Sequence, residues 1–171
     1  MEFEWAHTSR TDIPLTSRGK EQARGLGPLL SNITFDAVLM SPMLRAQETC
    51  ELTGFDNQAV VSDALKEWDY GIYEGRTTRE IQEEIPGWSV WKNEITDGET
   101  LQNVGMRAHG LIREALGSTP YPDRVAFFAH AHILRILAAR WIGLTPNGGK
   151  HLTLGTASVS VLGSERENRL S

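Results

Sequence analysis

The sequence predicts an α/β fold, a three-layer sandwich in which helices cover both faces of a mostly parallel central sheet. Three observations favour this class. Short apolar runs alternate with helical patterns, two of these runs lead almost directly into a helix, and the helix after the second run is apolar nearly all round. Such alternation is typical of parallel strands joined by helical crossovers and buried on both faces.

Length and composition indicate one globular domain over residues 1–171. Hydrophobic residues make up 40% of the chain and charged residues 23%, which disfavours a disordered chain, a collagen-like repeat and a disulfide scaffold. The formal net charge is −5, so neither nucleic acid nor an anionic membrane is an expected partner. Any site for an anion must therefore be local.

The chain is expected to be cytoplasmic. Its one cysteine, Cys50, cannot form an internal disulfide, which fits a reducing compartment. No stretch reaches the roughly 18 apolar residues of a membrane-spanning helix, and residues 1–5 do not resemble a secretory leader.

The first half of the chain is predicted to contain a helix, a strand and a second helix. Apolar residues at helical spacing predict a helix over residues 18–30. Residues 36–41 form an apolar run typical of a buried strand, and Ser41 and Pro42 then predict the cap and first residue of a helix. Residues 54–76 are predicted to be a long connection with aromatic content.

The second half repeats this pattern. Helices are predicted over residues 77–85 and 99–116, the second with one apolar face. An apolar run at 124–129 predicts a buried strand that ends at His130, and a helix follows over 131–142. The alternation at 156–162 predicts a last strand.

Two of the predicted strands lead to ionisable residues, Arg45 and His130. Ligands of open α/β sheets bind beyond the carboxyl ends of the strands, so these two side chains are expected to converge. Arg45 lies in the first turn of its helix, where its guanidinium can act beside unpaired backbone N–H groups, an arrangement that suits a phosphate. The alternative for Arg45 is a surface ion pair with Glu48 or another carboxylate.

His130 and Glu67 each have a structural alternative as well. A histidine after five uncharged residues also fits a core imidazole that forms a hydrogen bond through one ring nitrogen. A zinc site is disfavoured because no Glu or Cys completes a known ligand spacing around His130. Glu67 precedes Trp68, and an aromatic wall there is expected to raise the pKa of Glu67 and keep a proton available for a leaving group. The alternative is a solvated glutamate.

Five segments form an ordered set of motifs: residues 11–16 (TDIPLT), 41–46 (SPMLRA), 65–71 (LKEWDYG), 97–100 (DGET) and 128–131 (FAHA). In this order they resemble the motifs of the histidine phosphatase superfamily, also called the phosphoglycerate mutase-like family. The order makes the resemblance far more specific than any single motif.

The resemblance implies an enzyme that hydrolyses small phosphate monoesters through a phosphohistidine, with no metal or organic cofactor. By resemblance, Arg45 would bind the phosphoryl oxygens, His130 would stabilise charge on the transferring group, and Glu67 would protonate the leaving oxygen. The expected partner is a small phosphorylated metabolite, and a homodimer is compatible with the sequence.

The family's nucleophile, a histidine in an Arg-His-Gly motif at the end of the first strand, has no counterpart, because the sequence contains no Arg-His-Gly. His7 is a poor substitute because it lies too close to Leu15 and follows no apolar strand. The expectation is therefore an N-terminally truncated domain that lacks its first strand and leaves a sheet edge unpaired. Two alternatives stay open: a catalytically inactive phosphate-ester binding or regulatory protein, and a phosphoglycerate mutase-type phosphotransferase.

Overall fold

A computed structural model describes residues 6–117 and 124–163 of the chain. Its helices and strands, in chain order, are α1 (Ser17–Leu30), β1 (Ala37–Met40), α2 (Leu44–Thr53), β2 (Ala59–Val61), α3 (Thr78–Glu84), α4 (Leu101–Gly117), β3 (Val125–Phe128) and α5 (Ala131–Trp141). Each predicted helix is confirmed with ends that shift by a few residues. None of the helices in the described ranges is long and apolar enough to cross a membrane.

The three strands form a parallel sheet in the order β2-β1-β3. In the register of the sheet, Leu39 lies between Val60 on β2 and Phe127 on β3. The apolar runs at 36–41 and 124–129 thus predicted β1 and β3 correctly. Because both neighbours of β1 are parallel to it, the carboxyl ends of all three strands lie at the same edge of the sheet.

Helices pack on both faces of the sheet. Val38 and Phe128 belong to a core cluster that also contains residues of α1 and α2. Leu39 belongs to a second cluster, with residues of α4 and α5. Successive side chains of a strand point to opposite faces, so Val38 and Leu39 mark the two cores. This arrangement confirms the predicted three-layer α/β class.

The predicted start of the second helix is wrong. The helix begins at Leu44, with Met43 as its cap residue, and not at Pro42. The Leu44 N–H donates to the carboxylate of Asp12 at 2.7 Å. The Ser41 hydroxyl, expected to cap the helix, accepts from Met43 N at 3.3 Å, before the helix begins, and is hydrogen-bonded to His130. A distant residue therefore replaces the local cap.

Strand β2 lies inside residues 54–76, which were predicted to be a long connection with aromatic content. Its side chains explain the omission, because Val60 is 63% exposed and Val61 is 50% exposed. A three-residue edge strand with this exposure leaves no burial pattern in the sequence.

The last predicted strand, at residues 156–162, is wrong. Residues 156 and 157 form a turn, and the residues after them have no regular secondary structure. Val161 is 89% exposed. Within the described ranges, the sheet contains β1, β2 and β3 alone, and residues 156–162 pair with none of them. Alternation of side chains does not make a strand without a partner.

Candidate functional site

The carboxyl ends of β1 and β3 are joined by Ser41 and His130. The Ser41 N–H donates to Phe128 O at 2.8 Å, and the Ser41 hydroxyl lies 2.8 Å from His130 Nε2. Both side chains are buried. Burial, helped by the nearby charge of Arg45 and opposed by that of Glu67, lowers the pKa of His130 to about 4. His130 is therefore a neutral imidazole at neutral pH.

Arg45 lies in the first turn of α2, at the same end of the sheet. Its Nη1 donates to Thr11 O at 3.2 Å and its Nη2 to Thr8 O at 3.1 Å. A guanidinium has five N–H groups, so these two contacts hold its plane and leave three for an anion. One of the backbone N–H groups expected to assist Arg45, that of Leu44, is already bound to Asp12.

The alternative prediction for Arg45, a surface ion pair with Glu48, is wrong. Glu48 accepts a hydrogen bond from Leu15 N at 2.6 Å and pairs with Lys20 at 3.0 Å. Its carboxylate is thus used to hold the start of α1, and Arg45 is bound by backbone carbonyls instead.

Glu67 is bound at the N-terminus of α5. Glu67 Oε1 accepts from Trp68 N at 2.9 Å and from Ile133 N at 3.0 Å, and Oε2 accepts from His132 N at 3.0 Å. The side chain is buried. Its oxygens bind backbone N–H groups that the helix leaves without an internal partner.

The expected rise in the pKa of Glu67 is wrong. Burial on its own would raise this pKa, but the hydrogen bond and charge of His132 outweigh burial, and the pKa falls to about 2. Hydrogen bonds that favour the charged form have this effect. Without a ligand, Glu67 is a carboxylate and carries no proton for a leaving group.

Arg107 on α4 fixes the segment that leads to Glu67. Its Nη1 donates to Ala64 O at 2.7 Å and to Lys66 O at 3.0 Å. Its Nε and Nη2 donate to the two carboxylate oxygens of Glu99 at 2.8 and 2.7 Å. This bidentate pair is the strong geometry for arginine and carboxylate. The backbone on the N-terminal side of Glu67 is therefore held by a rigid helix.

Aromatic and imidazole rings surround the other side of Glu67. The Tyr70 hydroxyl lies 2.7 Å from His132 Nδ1. The His7 ring is 4.8 Å from that of Tyr70 and 5.4 Å from that of Trp88, and His7 Nε2 lies 3.1 Å from Thr78 Oγ1. Burial, with the charge of His132, lowers the pKa of His7 to about 4. His7 is thus a buried neutral ring whose Nε2 is already engaged.

Three groups of this site, Ser41, Tyr70 and Arg107, were not predicted from the sequence. Ser41 followed an apolar run directly, which was the signal for a residue at the end of a strand, but it was assigned to a helix cap. Tyr70 gave no signal, because its partner His132 lies far away in the chain. Within residues 6–117 and 124–163, no group of three or more His, Cys, Asp or Glu side chains is placed to hold a metal ion.

The site can therefore bind an anion between a fixed guanidinium and a neutral imidazole. Comparison with known proteins identifies a family whose members resemble this chain. Residues 2–170 match the histidine phosphatase superfamily (branch 1). An acid phosphatase of Mycobacterium tuberculosis is 37% identical, with 93% of this chain and 78% of the relative covered. The adenosylcobalamin/alpha-ribazole phosphatase of Escherichia coli is 34% identical, with 81% and 71% covered.

A third relative is longer. The sedoheptulose 1,7-bisphosphatase of Saccharomyces cerevisiae is 35% identical, with 82% of this chain covered, and the match spans only 64% of that relative's length.

Solved structures share the fold. The product of an open reading frame of Mycobacterium tuberculosis superposes with a TM-score of 0.87 at 36% identity, and the match covers 94% of this chain and 83% of that chain. The alpha-ribazole phosphatase of Shigella flexneri gives a TM-score of 0.75 at 30% identity, with 89% and 79% covered. Together with the ordered motifs and the geometry at the end of the sheet, these matches show that the chain belongs to the histidine phosphatase superfamily.

Proposed function

We propose that this chain binds small phosphate monoesters at the carboxyl end of the sheet and hydrolyses them. The observation that carries the proposal is the anchoring of Arg45, whose guanidinium is held by Thr8 O and Thr11 O and keeps three N–H groups for an anion. Guanidinium groups recognise phosphate oxygens in bidentate geometry. Three relatives above 30% identity, named as phosphatases, support hydrolysis as the reaction.

His130 and Glu67 have different parts in this proposal. Neutral His130 can donate one N–H to a phosphoryl oxygen and stabilise charge that develops there. Glu67, a carboxylate in the free protein, holds the start of α5 and therefore the backbone beside His130. It can protonate a leaving oxygen only when a bound phosphate dianion raises its pKa, as a like charge does.

A second candidate function is phosphate-ester binding without turnover. Hydrolysis through a phosphohistidine needs a histidine nucleophile, and none of the five histidines follows an arginine and precedes a glycine. His7 is buried, and its Nε2 is hydrogen-bonded to Thr78. Because none of the five histidines lies between an arginine and a glycine, and because His7 is already hydrogen-bonded, binding without turnover is the second candidate.

The experiment measures binding and turnover on the same variants. Inorganic phosphate is titrated by calorimetry, and phosphate release is followed with p-nitrophenyl phosphate and a panel of sugar phosphates. Arg45→Ala is expected to weaken phosphate binding by about tenfold or more, because it removes charge-assisted hydrogen bonds. Arg140→Ala is the matched control, since Arg140 is also half-buried and donates to a backbone carbonyl, Leu144 O, at the other end of α5.

Binding together with release supports the phosphatase. Binding without release from any ester supports the second candidate. If the folded wild-type chain gives no heat with phosphate, or if Arg45→Ala binds phosphate as tightly as the wild type, the proposed site is wrong.

A further inference from the structure

We propose that Glu74 is a positioning residue for Arg45 and acts through the loop of residues 8–12. The inference rests on the proposed phosphate site. Glu74 does not touch the guanidinium in any contact of the structure. It binds the loop whose carbonyl groups hold Arg45.

Glu74 is the centre of a cluster of hydrogen bonds from this loop. The Ser9 N–H lies 2.9 Å from Oε1 and 3.0 Å from Oε2, and the Ser9 hydroxyl donates to Oε2 at 2.7 Å. The Thr11 N–H and hydroxyl both donate to Oε1, at 3.0 and 2.8 Å. All four donors point at one carboxylate. Burial opposes ionisation, but these hydrogen bonds lower the pKa of Glu74, so the carboxylate stays charged.

One of the peptide groups that Glu74 binds also faces Arg45. The Ser9 N–H and the Thr8 carbonyl belong to one planar peptide unit, in which N–H and C=O point in opposite directions. When Glu74 binds the Ser9 N–H, it therefore fixes the direction of the carbonyl that accepts from Arg45 Nη2. Thr11 is also held at its N–H, and the carbonyl of the next peptide unit, Thr11 O, accepts from Arg45 Nη1.

The ion pair between Arg10 of the loop and Asp69 is a weaker link to the segment that carries Glu74. Arg10 donates to Asp69 Oδ2 at 2.7 Å, but the Arg10 side chain is 61% exposed. An ion pair with this exposure contributes little, because water screens it. Ser9 is buried, so its bonds to Glu74 are the better protected contacts. Glu74 is thus the group best placed to set the loop and, through it, the plane of the guanidinium.

The test is a double-mutant cycle on inorganic phosphate binding, measured by calorimetry at neutral pH. Glu74→Gln keeps the size of the side chain, but its amide nitrogen cannot accept from an N–H or a hydroxyl. In the wild-type background this variant is expected to weaken phosphate binding about fivefold, because Arg45 loses its fixed orientation. Arg45→Lys keeps the charge but lacks the fork that spans both carbonyls, so Glu74→Gln is expected to change binding less than twofold in that background.

Glu84→Gln is the matched control, because Glu84 binds Arg76 at 2.6 Å and has no contact with the loop. It is expected to leave phosphate binding unchanged. If Glu74→Gln does not unfold cooperatively, Thr11→Val replaces it in both backgrounds; it removes one hydrogen bond to Glu74, and a smaller loss with the same background dependence is expected.

An equal loss in both backgrounds would show that Glu74 does not act through Arg45 and would overturn the inference. An unchanged affinity in Glu74→Gln, together with weaker binding in Arg45→Ala, would also overturn it while the proposed phosphate site stands. Phosphate binding that is insensitive to Arg45→Ala would instead remove the proposed site itself.

Discussion

Glu67 and Glu74 lie in one connecting segment, and each binds backbone N–H groups with both oxygens, yet their surroundings differ. Glu67 is 7% exposed and accepts from the first turn of α5. Glu74 is half-buried and accepts from Ser9 and Thr11, which lie in an irregular loop. The N–H groups that Glu67 binds are oriented by helix α5 itself. The loop that carries Ser9 and Thr11 has no such helix and depends on Glu74 for part of its order.

Because of this difference, the two carboxylates are expected to affect different properties of the chain. Removing the charge of Glu67 leaves buried N–H groups at a helix end without acceptors, which is costly for the folded state. Removing the charge of Glu74 leaves the buried donors of Ser9 and the exposed donors of Thr11. Water can reach the Thr11 groups, so the folded state loses less. We therefore expect the first carboxylate to control mainly the free energy of unfolding and the second mainly ligand affinity.

The largest effect on the free energy of unfolding is expected for Glu67→Gln. The amide nitrogen would face the His132 or Ile133 N–H, two donors in a buried place, and the cost in the free energy of unfolding is about 3 to 5 kcal/mol. Urea denaturation at pH 7 measures it. Hydrogen exchange should show faster exchange at the amides of residues 132 and 133 than in the wild type.

Glu84→Gln is the control for Glu67→Gln, since it removes an exposed partner of Arg76 and is expected to cost less than about 1 kcal/mol. If the two variants have the same unfolding free energy, Glu67 does not hold the start of α5.

The next effect is a loss of stability in acid. Burial lowers the pKa values of His7 and His130 to about 4, from an ordinary value of 6.5, so the folded chain resists protonation that the unfolded chain accepts. Their contribution is complete above about pH 6.5 and is lost as the pH falls from 6.5 to 4. Glu67, with a pKa of about 2, stabilises the fold above its ordinary value of 4.5 and loses that contribution as the pH falls towards 2.

Urea denaturation at pH 7, 5.5 and 4 tests this. The free energy of unfolding is expected to fall by about 3 kcal/mol for each of the two histidines between pH 7 and pH 4. His130→Asn should make that dependence shallower, whereas His109→Asn, on the exposed surface of α4, should not. A wild-type stability that stays constant over this range would contradict the buried neutral histidines.

Much of the fold could be predicted because burial on both faces leaves a continuous apolar run in the sequence. The runs at 36–41 and 124–129 predicted β1 and β3 for this reason. Strand β2 has exposed side chains and was not predicted, and residues 156–162 alternate but pair with no strand in the described part of the chain. A local apolar pattern indicates which side chains are buried, but a strand also needs a neighbouring strand to pair with.

The site was predictable where it follows a strand end and unpredictable where it depends on distant partners. Arg45 and His130 were expected at the same end of the sheet from their positions after β1 and β3. The pKa of Glu67 was expected to rise from Trp68 next to it, but it is set by His132, which lies on a helix that begins far along the chain. No local pattern could show that contact.

The smallest expected effect is that of Glu74→Gln on stability, and it tests whether Glu67 and Glu74 have different roles. This variant should cost about 1 kcal/mol in the free energy of unfolding, well below the cost of Glu67→Gln, because two of the four donors belong to exposed Thr11 and can bind water instead. The same urea experiments measure both. If Glu74→Gln destabilises the chain as much as Glu67→Gln does, the loop of residues 8–12 belongs to the cooperative core. Any loss of phosphate affinity would then follow from a less stable fold, and both carboxylates would act mainly on the free energy of unfolding.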